Sequence, residues 1–409
     1  MGKHVDVLIA GAGISGIAAA YYLQKNCPDK SYAIVEARDA IGGTWDLFRF
    51  PGIRSDSDMY TFGYSFYPWS EPLAMAPAPA ILKYLNGAID EFGIRERIEF
   101  QRRVEKLSFS TSDSRWSVQV RNVEDDSVSE YTCNFFWGCT GYYRYDEGYT
   151  PEFEGVERFR GPIVHPQHWT DDIEYADKRV VVIGSGATAV TLVPALAKKA
   201  EHVVMLQRSP SYIASIPQRS FVDRFLKWAL GERRSFRLIR AKYLFLTTMF
   251  YKFARRYPDA ARRLYMSGAK KELTPGFDVD THFNPRYDPW DQRLCMVPDG
   301  DLFQAINAGK ASVVTDRIRS FTEHGLALES GDELEADLIV TATGLNLQIF
   351  GGAEVEVDGE KVVSGERFGY KGAMLSGVPN FAFTLGYVNA SWTLRAEVTS
   401  RYVCSVLRT

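Results

Sequence analysis

Two stretches of the chain repeat one pattern of apolar and polar positions. The first passes from the β-branched run Val5 to Ala10 through "GAGISG" into "IAAAYYLQK" and then into the apolar "YAIV". The second passes from "RVVVI" through "GSGATA" into "VTLVPALAKK" and then into "HVVML". Short apolar runs that alternate with segments of helical length are typical of strand–helix–strand units around a parallel sheet. The pattern therefore predicts an α/β fold that contains two such units.

The turn of each unit carries small residues at the spacing found in Rossmann-like dinucleotide-binding domains. The first glycine permits a tight turn, the second lets a pyrophosphate approach the backbone, and the third position lets helix pack on strand. We predict that the first turn binds a dinucleotide through Gly11, Gly13, Ser15 and Gly16. The second turn is a GxGxxA variant, and we predict that it binds through Gly184, Ser185, Gly186, Ala187, Thr188 and Ala189.

The second strands of the two units end in side chains of different charge. Glu36 lies 20 residues after Gly16, and a carboxylate there suits a ribose hydroxyl and repels a 2′-phosphate. The second strand ends in Gln207, Arg208 and Ser209, and a guanidinium beside a hydroxyl suits that phosphate. We therefore predict FAD in the first domain and NADPH in the second. The alternative for Arg208 is a solvated surface arginine.

The composition narrows the functional class. The 409 residues carry a formal net charge of −3, which gives no support for nucleic-acid binding. The five cysteines are odd in number and lack metal-binding spacing, so we expect reduced thiols, a cytoplasmic location and no metal site. The chain enters its first strand directly, so we expect no signal peptide. In addition, "IGGTWDLF" has Trp45 where disulfide reductases place a cysteine, so we expect electrons to leave through the flavin to oxygen.

Two longer motifs make the pattern more specific. "GGTWDLFRFPGIRSD", residues 42 to 56, fits GxWxxxx[FY]PGxxxD, and "FRGPIVHPQHW", residues 159 to 169, fits FxGxxxHxxxW. On these motifs the chain resembles the type I Baeyer–Villiger monooxygenases. "DPWDQRLCMVPDGDLF" and "LGYVNASWTLRAE" are most similar to the ethionamide-activating subgroup. The resemblance covers nearly the whole chain.

The resemblance implies an activity and a set of site residues. It implies that NADPH reduces FAD and that one oxygen atom of O2 is inserted into a ketone to give an ester or lactone. It implies that Arg293 is the catalytic cation and that Asp56 orients it. It assigns further FAD contacts to Thr44, Trp45, Asp46, Leu47, Asp56 and Val104, and contacts on the nicotinamide side to Arg54 and Ser55. His165 is expected to hold an interdomain linker rather than to act as a base, and Trp45 and Trp392 either flank the flavin or belong to the core.

The chain also departs from that family. Members of this kind usually continue beyond a point such as Thr409, so either the C-terminal segment is missing from this version of the chain or the family's usual ending is absent. We expect the loss to affect closure of the substrate pocket more than cofactor binding. Gln292 stands where many members have a lysine, so NADPH preference would depend more on Arg208 and Ser209. Two alternatives remain: a monooxygenase that oxidises the sulfur or nitrogen of a sulfide or thioamide, and a non-catalytic nucleotide-binding protein.

The motifs also predict the domain organisation. Residues 1–145 form the first part of the FAD domain, residues 152–340 form the NADPH domain, and residues 341–409 return to the FAD domain. A hairpin is expected to turn at Asp358-Gly359. A helical insert is expected at 212–285, within the NADPH domain. Its basic, aromatic sequence allows weak contact with an anionic membrane surface, but we favour a solvated face with the aromatic side chains packed inward.

Overall fold

The computed structural model describes residues 3–292 and 294–409. Its strands are, in chain order, β1 (Lys3–Ala10), β2 (Tyr32–Val35), β3 (Ile98–Glu99), β4 (Arg102–Ser110), β5 (Arg115–Asn122), β6 (Val128–Gly138), β7 (Tyr143–Gly148), β8 (Ile163–Val164), β9 (Arg179–Ile183), β10 (His202–Gln207), β11 (Tyr212–Ile216), β12 (Leu294–Pro298), β13 (Ala311–Thr315), β14 (Ile318–Thr322), β15 (Gly325–Leu328), β16 (Glu333–Glu335), β17 (Leu338–Thr341), β18 (Leu345–Leu347), β19 (Glu354–Val357), β20 (Glu360–Lys361), β21 (Gly369–Tyr370), β22 (Met374–Leu375) and β23 (Phe381–Phe383).

The helices connect these strands and cover the sheets. They are, in chain order, α1 (Ile14–Asn26), α2 (Thr44–Leu47), α3 (Met59–Phe62), α4 (Ala78–Glu91), α5 (Ala187–Leu196), α6 (Phe221–Arg256), α7 (Pro258–Glu272), α8 (Val279–Phe283), α9 (Asp301–Asn307) and α10 (Trp392–Leu407).

The larger sheet is mixed and has nine strands. Its β1 lies parallel to both β2 and β6, whereas β4, β5 and β6 form an antiparallel meander. The C-terminal part of the chain returns to this sheet, because β23 pairs with β6 and β19 pairs with β4. The hairpin of β19 and β20 turns at Asp358 and Gly359, which have φ values of 51° and 83°. Two residues of positive φ suit a two-residue hairpin, so the predicted turn is confirmed.

The smaller sheet is parallel, in the order β13-β10-β9-β17-β8. Both of its faces are covered, which explains the continuous apolar run of β9. Val180 and Val182 pack with Leu192 of α5 on one face, and Val181 and Ile183 pack with residues of β14 and β15 on the other. The predicted α/β fold with two strand–helix–strand units is confirmed.

The insert differs from its prediction at its start. Residues 212–216 form β11, which pairs in parallel with β12, because their β-branched and aromatic side chains suit a strand. The helices begin at Phe221, and α6 has a non-helical residue at Gly231, with a φ of 70°. Asp223 accepts a hydrogen bond from the Tyr243 hydroxyl at 3.0 Å. Since a straight helix would hold these residues roughly 30 Å apart, α6 is a hairpin of two helical legs that reverses at Gly231.

A buried ion pair joins this hairpin to the larger sheet's helices. The guanidinium of Arg240 lies 3.4 Å from the carboxylate of Glu397 in α10. It also donates to the backbone carbonyls of Tyr60, at 2.7 Å, and Gly63, at 2.6 Å. Glu397 accepts a further bond from the backbone N–H of Ser65 at 2.7 Å. Three separate segments of the chain therefore converge on one pair of charges.

We expect Glu397→Ala to lower the free energy of unfolding by about 3 kcal/mol, because removing one member of a buried pair leaves the other charge uncompensated. Denaturant unfolding followed by circular dichroism measures the change. The exposed Glu124→Ala serves as the control and should change stability by less than about 0.5 kcal/mol. Equal stability of the two variants would contradict a structural role for the pair.

Candidate functional site

A cavity of about 600 Å³ lies beside the first glycine turn. Its wall combines that turn, the linker after β6, the second leg of α6 and the start of α10. The predicted site residues on this wall are Gly11, Gly13, Ser15, Glu36, Thr44, Trp45, Ser55, Asp56 and Val104. Most of the predicted flavin-side positions therefore share one cavity, although they are far apart in sequence.

The first glycine turn is built by close backbone contacts. Gly11 has a φ of +104°, and a Cβ there would lie 2.6 Å from the carbonyl oxygen of Cys139. A Cβ on Gly16 would lie 1.9 Å from the carbonyl oxygen of Gly11, so α1 can approach the turn only at a glycine. Gly13 faces Gly43 across the cleft, and a Cβ on Gly13 would lie 3.7 Å from the Cα of Gly43. Two bare backbones thus line the place where a pyrophosphate is expected.

Glu36 closes this turn from the end of β2. Its carboxylate accepts hydrogen bonds from the backbone N–H groups of Ala12, at 2.6 Å, and Arg38, at 3.0 Å. The side chain is buried, and this burial raises the pKa of the carboxyl, while the two backbone donors lower it. The carboxylate therefore fixes the glycine turn against β2 and also lines the cavity.

Three of the predicted FAD contacts do not line the cavity and instead contact the structure around it. Asp46 forms an ion pair with Arg38, with Nη2 and Oδ2 2.5 Å apart. Leu47 packs against the core of the smaller sheet, and Gly16 lies in the contact between turn and helix. Their predicted contacts with FAD remain untested expectations.

The PGxxxD loop connects the two units before it reaches the cavity. Gly52 has a φ of +80°, and a Cβ there would lie 2.6 Å from the side chain of Ala195 in α5. Arg54 forms an ion pair with Asp301 at the start of α9, with Nη1 and Oδ2 2.5 Å apart. Asp56 then lies on the cavity wall. The loop is thus held by the smaller sheet's helices while it presents a carboxylate to the cavity.

The environment of Asp56 is a protein-enclosed space. Its side chain is exposed, but it faces the cavity, so surrounding protein removes bulk water and raises the pKa of the carboxyl. Arg293, the predicted partner of this carboxylate, lies outside the described residues. Of the predicted catalytic pair, the structure therefore describes the position of Asp56.

The second glycine turn lies outside the wall of this cavity. Gly184 has a φ of +132°, and a Cβ there would lie 2.4 Å from the carbonyl oxygen of Ala342. The Ser185 hydroxyl lies 3.3 Å from the carbonyl oxygen of Ser209 and 3.1 Å from the hydroxyl of Ser211. The turn continues through Gly186 into α5, which begins with the remaining predicted residues, Ala187, Thr188 and Ala189.

The residues at the tip of β10 divide into two kinds. Gln207 is buried, and its amide donates to the carbonyl of His282, at 2.7 Å, and to the hydroxyl of Thr315, at 2.8 Å. Arg208 and Ser209 are exposed, and within the described residues no carboxylate lies within ion-pair distance of Arg208. Arg208 and Ser209 are therefore available to a ligand, whereas Gln207 holds neighbouring chain segments together.

The FxGxxxHxxxW motif fastens the two linkers between the units. His165 lies with its Nε2 3.0 Å from the carbonyl oxygen of Gly344. Gln167 donates to the carbonyls of Arg144, at 2.9 Å, and Tyr145, at 2.8 Å. Burial lowers the pKa of His165, which favours the neutral, hydrogen-bonding ring. The motif's Phe159 and Trp169 are core residues in addition.

Several cavity residues were missed by the sequence analysis. The linker contributes Tyr142 and Tyr145, and the insert contributes Leu244 and Thr247. No ligand contact was predicted for these linker residues, and the insert residues belong to no motif. Both proposed flanking tryptophans line the cavity. The Trp392 indole donates to the Ser15 hydroxyl at 2.8 Å, which joins α10 to the start of α1.

Comparison with known proteins identifies the family. Residues 3–364 match the model of the flavin-binding monooxygenase-like family. The chain belongs to this family. Across 408 residues it is 52% identical to the FAD-containing monooxygenase EthA of Mycobacterium tuberculosis, covering 100% of this chain and 83% of that one. It is 46% identical over 408 residues to the probable FAD-binding monooxygenase AlmA of Acinetobacter baylyi, covering 100% and 82%.

The fold of this flavin-binding monooxygenase-like protein is shared with solved structures. A steroid monooxygenase bound to NADP aligns with a TM-score of 0.80 and 23% identity, covering 99% of this chain and 85% of that one. An open structure of cyclohexanone monooxygenase aligns with a TM-score of 0.80 and 20% identity, covering 100% and 88%. At these identities the likeness establishes the fold.

The linker geometry makes a test possible. A Cβ on Gly148 would lie 2.1 Å from the His165 ring, so Gly148→Ala should displace the ring and lower the free energy of unfolding by roughly 1–3 kcal/mol. His165→Ala, which removes the ring, should abolish that penalty in the double variant. A double-mutant cycle from denaturant unfolding measures the coupling. Additive effects of the two substitutions would show that the ring and the linker do not constrain one another.

Proposed function

We propose that this flavin monooxygenase catalyses the Baeyer–Villiger reaction with FAD and NADPH, using O2 to convert a small-molecule ketone into an ester or lactone. The observation that supports this most is the position of Asp56. The loop that bears the PGxxxD pattern brings this carboxylate onto the wall that also carries the first glycine turn. A catalytic carboxylate and a flavin-binding turn would then share one enclosed space.

The residues present fit FAD in the cavity. The bare backbones at Gly13 and Gly43 would receive the pyrophosphate, and the start of α1, capped by Gly13 without a side-chain bond, would face it. The carboxylate of Glu36 would hold the ribose, and the backbone at Val104 would lie near the adenine. When bound, the flavin supplies the hydride acceptor and the oxygen-activating chemistry of the reaction.

The residues at the second turn fit NADPH. Arg208 and Ser209 would hold the 2′-phosphate, because both are exposed and a guanidinium binds phosphate through charge-assisted hydrogen bonds. The start of α5, capped by Gly186, would face the pyrophosphate. Arg54 and Ser55 lie on the loop between the two turns and would face the nicotinamide side.

The protein's chemical contribution is electrostatic. Arg293 would place a permanent positive charge where negative charge develops on oxygen, and Asp56 would orient that guanidinium. The aromatic residues Trp45, Tyr142 and Trp392 on the wall would exclude water from the reacting atoms. A fixed charge in such a water-poor site stabilises a transition state more than it would in solvent.

Product analysis tests the proposal. Purified holoenzyme, NADPH and O2 are offered linear, cyclic and aryl ketones beside a sulfide and a thioamide, and products are identified by mass spectrometry. Ester or lactone is the expected product. Sulfoxide formed with every ketone unchanged would replace the proposal by sulfur oxidation.

Coenzyme choice should depend on Arg208. One charge-assisted hydrogen bond contributes about 1.5–3 kcal/mol, so Arg208→Ala should weaken NADPH binding by roughly 10- to 100-fold. NADH, which lacks the phosphate, should be affected much less. Titration of both coenzymes measures the effect, and the exposed Arg317→Ala is the control. Equal use of NADH and NADPH by the unaltered enzyme would rule out the assignment.

Arg293 should act on the chemical step and leave FAD binding intact. Losing one such electrostatic contact typically lowers the rate by about 10²–10³. Arg293→Ala should therefore keep its flavin absorbance but produce ester at a rate reduced by that factor, and Arg293→Lys should recover little because a point charge does not replace a planar fork. Ester formation by the alanine variant at the unaltered rate would remove Arg293 from the site.

A further inference from the structure

The helical hairpin α6 exposes large apolar side chains. In the first leg Phe221 is 73% exposed, Phe225 53% and Trp228 81%. In the second leg Leu238, Phe245, Met249 and Phe253 are exposed as well, with Phe245 at 64%. We call these seven side chains the outer face of the insert. So many large, exposed apolar side chains on one hairpin are rare on a protein surface that meets only water.

The outer face follows the helical period in both legs. The first-leg residues Phe221, Phe225 and Trp228 are spaced by four and three positions. The second-leg residues, from Leu238 to Phe253, are spaced by seven, four and four. Both spacings return to one side of a helix. Each leg therefore presents a stripe, and the exposure is not a scatter of single residues.

The opposite side of the second leg already has its partners. Phe236 and Ile239 are buried in the core of the larger sheet's unit, and Tyr243 stacks on Tyr60 at 5.3 Å. The sequence analysis favoured inward packing for the aromatic residues of the insert, and this is wrong for the outer face. One helix has only one side toward the core, and the insert carries more aromatic residues than that side can bury.

The insert is also the basic part of a chain with a net charge of −3. Between Arg219 and Lys271 it has fifteen lysine and arginine residues and three acids. Several of the cations are exposed and, within the described chain, have no carboxylate at ion-pair distance: Arg224, Arg233, Arg234, Arg237, Lys252 and Arg256. By helical spacing, Arg234, Lys252 and Arg256 lie on or beside the second-leg stripe.

We propose that the outer face of the insert docks the enzyme on an anionic lipid surface. Aromatic and aliphatic side chains would enter the interface, and the surrounding arginine and lysine side chains would pair with lipid phosphates. The rest of the chain, which is acidic overall, would be repelled by the same surface, so the charge distribution orients the molecule. The contact that we propose is peripheral. Among the described residues no helix is long and apolar enough to cross a bilayer.

Docking would bring the cavity close to the lipid. Leu244, Thr247 and Thr248 of the second leg line the cavity, and they alternate in sequence with Phe245 and Met249 of the outer face. A ketone dissolved in the bilayer would therefore have a short path to the wall of the cavity. This consequence rests on the proposed function, whereas the docking itself does not.

Vesicle co-sedimentation of the FAD-loaded enzyme tests the docking without any measurement of activity. We expect binding to phosphatidylcholine vesicles that contain phosphatidylglycerol, weaker binding to phosphatidylcholine alone, and release by high salt. Each basic side chain near an anionic leaflet contributes about 1 kcal/mol, so Arg234→Gln with Arg256→Gln should weaken binding roughly 30-fold. Phe225→Ser with Trp228→Ser should weaken it roughly 10-fold or more.

Matched variants outside the insert provide the controls. Arg317→Gln with Arg319→Gln removes the same charge from an exposed strand region, and Phe368→Ser removes another exposed aromatic side chain; both should bind like the unaltered enzyme. Enzyme that stays in the supernatant with anionic vesicles at low salt overturns the proposal. So does a concentration-dependent dimer that is lost in the Phe225→Ser/Trp228→Ser variant, since a second copy would then cover the outer face. Ester formation in detergent-free solution reports separately on the proposed function.

Discussion

The pairing of the two linkers is the constraint on which the rest of the structure depends. The chain leaves the larger sheet through β7 and returns through β18, and these strands pair with one another. His165 fastens the returning linker and Gln167 the departing one, so the two crossings are held at one place. The wall of the cavity combines the first glycine turn, which precedes both linkers in the chain, with the insert, which lies between them in the chain. The insert returns from this crossing to the larger sheet's unit, where Arg240 and Glu397 hold it beside the glycine turn.

The position of the PGxxxD loop is a second constraint. It explains why several residues of that motif are small or held by an ion pair rather than reactive. Gly52 allows the PGxxxD loop to touch α5, and Arg54 then anchors the loop to α9. A larger residue at Gly52 would displace the loop and with it Asp56. Most residues of the PGxxxD pattern therefore make the contacts that position the Asp56 carboxylate. Few residues of the pattern could contact a substrate.

The sequence was sufficient for the features that depend on local spacing. The two glycine turns and the hairpin at Asp358 were predicted because turns carry their signal within a few residues. The cavity wall could not be predicted in full, because Leu244 and Thr247 reach it only after the insert packs against distant parts of the chain. Likewise the buried role of Gln207 depends on His282 and Thr315, which no local pattern connects with it.

The insert shows why periodicity alone could not decide its role. Its second leg has three apolar sides: Phe236 and Ile239 face the core, Leu244 lines the cavity, and Phe245 and Met249 face outward. A helix that is apolar on all sides gives no single stripe from which burial could be inferred. Core packing accounts for the first side and the wall of the cavity for the second. The third has no partner among the described residues, so a helix of this composition is consistent with an environment in which apolar and basic side chains are both favoured, and a charged lipid interface is such an environment.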